Sequence, residues 1–352
     1  LAVGNAYAAV SGALIVQSRA NVNQSMGIGM IVIGLASLII GLSVFGKVSF
    51  MKPTTKVIIG AVIYQACLVV ASLVGIPSSY NKLLMAVLFT LALVKMVELK
   101  NIVKYFNKGT VDEVKLFDNF NFKVDKGEFV SVIGSNGSGK TTMLNLICGS
   151  LTPDAGQILL KDKDITHKPE YRRAANIGRV FQDPRAGTCS DLTIIENMAL
   201  ADNKGKIFGL GSAVSKKRIA YYKELLSQCE MGLENRMNVK VGNLSGGQRQ
   251  ALALVIANMT DIELLILDEH TAALDPKTSE TIMKLTEKLV RERKVTTIMV
   301  THNLRFAVDY GDRIVMMHEG KAVIDAKGEA KQKLEVSDLL KKFNEISIEC
   351  GN

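Results

Sequence analysis

The sequence predicts an α/β nucleotide-binding fold preceded by an all-α transmembrane segment. Three observations carry that expectation. The first hundred residues are long apolar runs with few charges. From Val97 onward, apolar strands alternate with helical patterns. One of those strands, "EFVSVIG" (128–134), runs straight into the glycine-rich stretch "GSNGSGKT" (134–141). A chain of 352 residues has room for about two or three domains.

The N-terminal part is divided by its charges. Residues 1–18 carry none, Ala20–Gly46 is an uncharged run of 27, Val57–Asn81 one of 25, and Leu83–Val94 one of 12. A helix crosses a bilayer with about 20 apolar residues, so the two long runs are expected to span. Three to four helices are predicted over residues 1–95. Lys47, Lys52 and Lys56 share one loop, which the bias of basic residues puts in the cytoplasm. Counting from there, Leu1–Gln17 runs outward, the Met26–Gly46 region returns, Val57–Ile76 runs outward and Lys82–Val94 returns. Whatever follows Lys95 is then cytoplasmic. Gly27, Gly29, Gly34, Gly41, Gly60 and Gly75 let such helices approach closely or break. Three to four spans are too few to enclose a translocation path, so the membrane part is expected to be incomplete.

The net charge of +9 is unevenly spread. Residues 1–100 hold Arg19, Lys47, Lys52, Lys56, Lys82, Lys95 and Lys100 against Glu98 alone. The excess therefore reads as loop charge around membrane spans. A nucleic-acid surface needs clustered basic residues with groove-reading motifs, and none is found, so no nucleic-acid partner is expected. The five cysteines are odd in number, scattered and without a C-x-x-C pair. That pattern suits a reducing compartment and argues against a disulfide framework or a zinc site.

"GSNGSGKT" has the spacing G-x-x-x-x-G-K-T, with a strand before it and the helical pattern "TMLNLICG", closing at Gly149, after it. Gly134, Ser135, Asn136, Gly137, Ser138 and Gly139 form a loop whose N–H groups can curl around phosphate oxygens, and the helix start adds partial positive charge. Lys140 is expected to reach the β- and γ-phosphates of ATP, and the Thr141 hydroxyl, with Thr142 beside it, to face Mg²⁺. A second apolar strand, "ELLILDEH" (263–270), ends in two carboxylates. Asp268 can bind Mg²⁺ through water, and Glu269 can polarise the attacking water as general base. "NLSGGQRQALAL" (243–254) puts Ser245, Gly246, Gly247 and Gln248 at a helix start, where their amides can hold a γ-phosphate.

With those stretches in hand, the chain resembles the ATPases of ATP-binding cassette (ABC) transporters over about residues 97–345. The resemblance implies a RecA-like core with an antiparallel β subdomain and a helical subdomain, the latter over roughly 190–243. It implies that Leu244–Gln248 meets ATP bound by a second ABC subunit, so that a homodimer completes the site. By the same resemblance Gln182 in "VFQDP" contacts Mg²⁺ and faces the permease, and Asp275 in "TAALDP" lies at the dimer seam. His302, at the end of the strand "IMVTHN", touches the γ-phosphate. Phe106 or Tyr105 stacks on adenine, with spacing favouring Phe106. His270 stands where many members of the family have proline and reads as a subfamily variation; His167 and His318 read as surface residues. The basic stretch Lys204–Arg218 reads as a solvated face, with a minor reading that sets it near lipid headgroups.

The membrane part also resembles something. "AAVSGALIVQ" (8–17) and "MGIGMIVIGLASLIIG" (26–41) are similar to the C-terminal part of permeases from binding-protein-dependent importers of the branched-chain amino-acid and tryptophan type. "GRVFQDPRAGT" and "LDEHTAALDPKT" are similar to their ATPases. The expected organisation is a permease fragment at 1–95, a cassette at 96–345 that begins near Met96, and a tail at 346–352. The helix Lys82–Lys95 would cover about 21 Å, short of the roughly 30 Å hydrocarbon core, which suits two proteins joined without a spacer. The function implied is ATP-driven import of a small solute, an amino acid by resemblance, with permease helices, membrane lipid and an extracytoplasmic substrate-binding protein as partners. An exporter half-transporter and an ABC ATPase that moves nothing are the alternatives.

Overall fold

The computed structural model describes residues 95–204 and 213–349, with helical positions at 54–55, 58–59, 61–63 and 66. The expected spans Leu1–Gln17, Met26–Gly46 and Lys82–Val94 lie outside the described residues, as does most of Val57–Ile76. Among the described residues no helix is long and apolar enough to cross a membrane. The chain divides into two compact units, Leu1–Val94 and Lys95–Asn352.

In the second unit the chain runs β1 (Lys95–Phe106), β2 (Val114–Asp125), β3 (Phe129–Gly134), α1 (Lys140–Cys148), β4 (Ala155–Leu160), β5 (Lys163–Asp164), α2 (Glu170–Arg173) and β6 (Ile177–Val180). The helical part follows with α3 (Ile194–Asp202), α4 (Ile219–Ser227) and α5 (Gly246–Asn258). The remainder is β7 (Leu264–Asp268), α6 (Pro276–Arg293), β8 (Thr296–Val300), α7 (Leu304–Asp309), β9 (Arg313–His318), β10 (Lys321–Lys327), α8 (Glu329–Gln332) and α9 (Val336–Glu349).

Two sheets result. One is antiparallel, in the order β2-β1-β4-β5; the other has the order β10-β9-β3-β8-β7-β6 and is parallel throughout except for its β10 edge. The parallel strands are mostly apolar, and β3, β7 and β8 are buried along their whole length, because both faces are covered. In β7, Leu264 and Ile266 join the core shared with the antiparallel sheet and α1, while Leu265 and Leu267 join the core packed by α5 and α6. β8 splits the same way, with Ile298 and Val300 on the first side and Met299 on the second. Each such side chain, fully buried, stabilises by about 1.5–3 kcal/mol. Because β3, β7 and β8 each feed both cores, their ends are held in fixed register, and the loops leaving those ends carry the candidate site.

The helix after the phosphate loop is pinned at both ends. Its N-cap, Gly139, has φ 101° and offers no side-chain cap, which leaves the first-turn amides open to a ligand. At the other end Gly149 closes the helix in the left-handed region, as the sequence predicts, and its N–H donates to Asn145 O. The buried Arg173 guanidinium donates to Leu146 O at 2.7 Å and Ile147 O at 3.0 Å, taking up carbonyls the helix cannot satisfy itself.

Candidate functional site

The phosphate loop leaves β3 at Gly134. A Cβ there would lie 2.2 Å from Met317 O, so only glycine lets β3 pass β9 at this point. Ser135, Asn136 and Gly137 are exposed at the tip, while Ser138, Gly139 and Lys140 turn inward. Lys140 Nζ donates to Gly134 O and Ser135 O, each at 2.8 Å, so the ammonium lies folded back across the loop. Burial holds it below the usual lysine range, partly offset by Glu269 and Asp268. The Ser138 hydroxyl is buried with no hydrogen-bond partner, a polar atom waiting within an anion cradle. Thr141 is exposed and Thr142 half-buried on the first turn of α1.

The strand ends bring the acidic and imidazole groups to this loop. Asp268 is the last residue of β7 and is buried. The next residue, Glu269, takes φ 47°, and its N–H donates to Val300 O of β8 at 3.0 Å. That left-handed turn, rare for a side chain larger than glycine, aims the carboxylate at β8. There Glu269 Oε1 lies 2.7 Å from His302 Nε2. β8 itself ends at Val300, so His302 stands two residues beyond the strand on the loop leading to α7, not on its last residue as the sequence suggested. His302 also lines a cleft of about 720 Å³ with Glu269, Thr271, Leu274 and Phe306.

Gln182 is exposed just past β6. Ser245 is the N-cap of α5, its Oγ accepting from Gln248 N at 3.2 Å while Gln248 Oε1 accepts from Ser245 N at 3.3 Å. Gln248 is thus occupied by the capping box. The amides of Gly246 and Gly247 and the Ser245 hydroxyl proton remain for a ligand. A Cβ on Gly247 would lie 2.3 Å from Thr278 Cγ2, so this glycine lets α5 close on α6. Asp275 is exposed and caps α6, accepting from Thr278 N at 3.0 Å; hydrogen bonds from Thr278 hold its carboxyl below the usual range. Phe106 is 36% exposed at the end of β1, with Lys104 5.9 Å over its ring, and Tyr105 is half-buried beside it.

The motifs did not reveal four of the contributors. Arg179 pairs with Asp268 across β6 and β7 at 2.9 Å. Gln250, buried on α5, donates to Phe181 O at 3.3 Å and so ties the Ser245 helix to the residue before Gln182. Arg249 donates to Val241 O, Gly242 O and Leu244 O and braces the loop before Ser245. His270 is fully enclosed, with Nε2 3.2 Å from Thr286 Oγ1 of α6, and burial pushes its pKa down to about 4. Its neutral imidazole anchors the turn that carries Glu269. Among the remaining sequence readings, His167 is exposed and His318 half-buried. Arg218, at the end of the basic stretch, is not simply solvated: it grips Asp202 at 2.7 and 2.9 Å and lies 4.1 Å over the Tyr221 ring.

Mg²⁺ takes hard oxygen donors and keeps several waters, with few protein ligands alongside substrate phosphates. The Thr141 hydroxyl, the Asp268 carboxylate and the Gln182 amide oxygen are donors of that kind. Among the described residues no cluster of His, Cys, Asp and Glu could hold a metal without a substrate. A hydroxyl, a carboxylate and an amide oxygen are donors whose chemistry suits Mg²⁺.

A glycine loop capping a bare helix start, a strand-end carboxylate pair and an imidazole at 2.7 Å define a phosphate-loop ATPase. Residues 117–272 match the ABC transporter family model. The tyrosine transport ATP-binding protein of Clostridioides difficile strain R20291 is 45% identical over 70% of this chain and 98% of its own length. The putative hemin import ATP-binding protein HrtA of Staphylococcus aureus is 34% identical over 63% of this chain and 96% of its own. The ATP-binding cassette MJ0796, solved as a dimer with ADP and Pi, is 33% identical with a TM-score of 0.57, covering 66% of this chain and 98% of that one. The cassette MJ1267 in its ADP conformation is 26% identical with a TM-score of 0.60, covering 73% of this chain and 99% of that one. The chain belongs to the ABC transporter ATP-binding proteins. It is the ATP-binding, ATP-hydrolysing subunit of such a transporter, a kind of domain that works as a dimer with permease components.

Proposed function

We propose that this ATPase powers import of an amino acid, with tyrosine the first candidate, and that residues 1–95 are the C-terminal part of its permease. In this reading residues 96–345 are the cassette and 346–352 a tail, held at the cytoplasmic membrane with the cassette inside. The observation that carries the hydrolytic part is the convergence of Lys140, Asp268, Glu269 and His302 from the ends of three adjacent strands. The cargo is supported by the 45% identity to a tyrosine transport protein. That relative is matched over 98% of its length by only 248 residues of this chain. This supports reading the remaining apolar segment as a separate permease part.

The roles proposed for the site residues are supported by the geometry of the loop and strand ends and, for Phe106, Ser245–Gln248 and Asp275, by the family resemblance. The amides of residues 134–139 and the Lys140 ammonium bind phosphate oxygens, with Thr142 beside them. Thr141, Asp268 and Gln182 would hold Mg²⁺, which neutralises charge on the transferring phosphoryl group. Glu269 takes the proton of the attacking water. His302, hydrogen-bonded to Glu269, orients that carboxylate and faces the γ-phosphate. Phe106 stacks on adenine. Ser245, Gly246, Gly247 and the Gln248 box of a second copy close over the γ-phosphate, with Asp275 at the seam. An extracytoplasmic binding protein delivers the cargo, and the permease helices contact lipid.

Uptake of labelled tyrosine and other amino acids into membrane vesicles, with ATP inside or outside and with or without binding protein, tests the reading. Accumulation driven by ATP on the cassette side supports import. ATP-driven efflux of the amino acid makes the chain an exporter, and ATPase activity indifferent to every solute points to a cassette that transports nothing.

A further inference from the structure

The buried carboxylate of the site has a cationic partner. Arg179 stands on β6 and its Nη2 donates to Asp268 Oδ2 at 2.9 Å, with the two side chains only 13% and 12% exposed. Strand alternation explains the meeting. Ile177 of β6 joins the core on the α1 side, whereas Val180 joins the core packed by α5. Arg179 therefore points to the α1 side, as Asp268 does two residues after Ile266. In the sheet β7 lies between β6 and β8. The guanidinium thus approaches Asp268 from the side away from β3 and its phosphate loop, and the other carboxylate oxygen is left for the loop side.

The guanidinium is poorly satisfied apart from this contact. Its Nε is buried with no hydrogen-bond partner, and its Cζ lies 4.6 Å from the centroid of the Phe181 ring. A buried cation with an idle donor is unfavourable unless the charge it faces is also buried. Asp268 is that charge, and before nucleotide arrives the described residues offer it no other cation within ion-pair distance.

We infer that Arg179 is the resident counter-cation of Asp268, and that it competes with incoming Mg²⁺·nucleotide for that carboxylate and so sets how much Mg²⁺ the protein requires. The inference rests on the assignment of Asp268 to the metal. Removing the guanidinium takes away the only ion-pair partner of the buried Asp268 among the described residues and leaves it the longer-range field of Lys140, which destabilises the nucleotide-free protein. It also removes repulsion between a fixed positive charge and a divalent cation, so the metal binds more readily. Arg179 is a positioning residue: it acts on the metal through Asp268 and touches no reacting atom.

The test titrates Mg²⁺ into full-length protein holding a fluorescent, non-hydrolysable ATP analogue, and reads the half-saturating Mg²⁺ concentration for analogue binding. Arg179→Met should lower that concentration by about tenfold and lower the melting temperature in EDTA. Arg179→Gln, which keeps a donor without the charge, should do the same and serves if the methionine variant does not fold. Arg179→Lys should stay close to wild type. An unchanged or raised Mg²⁺ requirement in the neutral variants, or a lysine variant that behaves like them, overturns the inference. Asp268→Asn separates the two levels. A raised Mg²⁺ requirement in that variant upholds the metal assignment whatever Arg179 does, whereas no change removes the assignment and the inference with it.

Discussion

Glu269 and His302 meet at 2.7 Å although 33 residues separate them, because β7 and β8 are adjacent parallel strands, with Glu269 next after the end of β7 and His302 two residues beyond the end of β8. The Glu269 N–H bond to Val300 O fixes the turn that makes this contact. The imidazole can hold the carboxylate toward a water only in that geometry.

Glu269→Gln removes the proton acceptor and keeps the shape. Phosphate release should fall by about 10²–10⁴-fold, with nucleotide binding retained. His302→Ala should also lose turnover while binding ATP. Near-normal hydrolysis by the glutamine variant would remove Glu269 from the role of general base.

Folding should depend on pH through His270. Its folded pKa is about 4 against an ordinary 6.5. Between those values the unfolded chain takes a proton that the folded chain refuses, so stability rises with pH. The contribution is complete above about pH 7 and declines toward pH 4, by up to about 3 kcal/mol. Melting curves at pH 7 and pH 5 should show a larger drop for wild type than for His270→Gln; equal drops would contradict the assignment.

Gly247→Ala should destabilise by about 1–3 kcal/mol, because the added methyl overpacks the contact between α5 and α6. The nearest atom is Thr278 Cγ2 at 2.3 Å, and the next are at 3.7 and 3.8 Å. Thr278→Ser deletes the offending methyl, so the double variant should recover most of the loss in urea unfolding. Failure of the second change to rescue the first would show that the cause lies elsewhere.

The parts of the site written contiguously were legible in the sequence. Gly134–Thr142 needed only a strand before and a helix after, and the structure supplies β3 and α1. Ser245 was readable as a helix start because the Ser-x-x-Gln spacing of a capping box is local. Arg179, Gln250 and His270 were not legible, since each acts across the fold. Arg179 lies 89 residues from Asp268 and Gln250 lies 69 from Phe181, and a sequence does not say which strands will be neighbours. The sheet order β10-β9-β3-β8-β7-β6 was beyond reach for the same reason. His302 was placed on a strand because "IMVTHN" stays apolar up to Thr301, while the ladder between β7 and β8 stops at Asp268 and Val300.

The central claim is that one complete hydrolytic site needs the Lys140 loop of one copy and the Ser245 tip of another. It is tested most directly by mixing two inactive proteins, Lys140→Ala and Ser245→Arg, and measuring ATPase activity. Neither alone has a complete site, but a mixed dimer pairs the intact loop of the second with the intact tip of the first. The account predicts that an equal mixture recovers about a quarter of wild-type activity, since half the dimers are mixed and each has one working site of two. A mixture as inactive as its components, or a Ser245→Arg protein that hydrolyses ATP at full rate on its own, would contradict it.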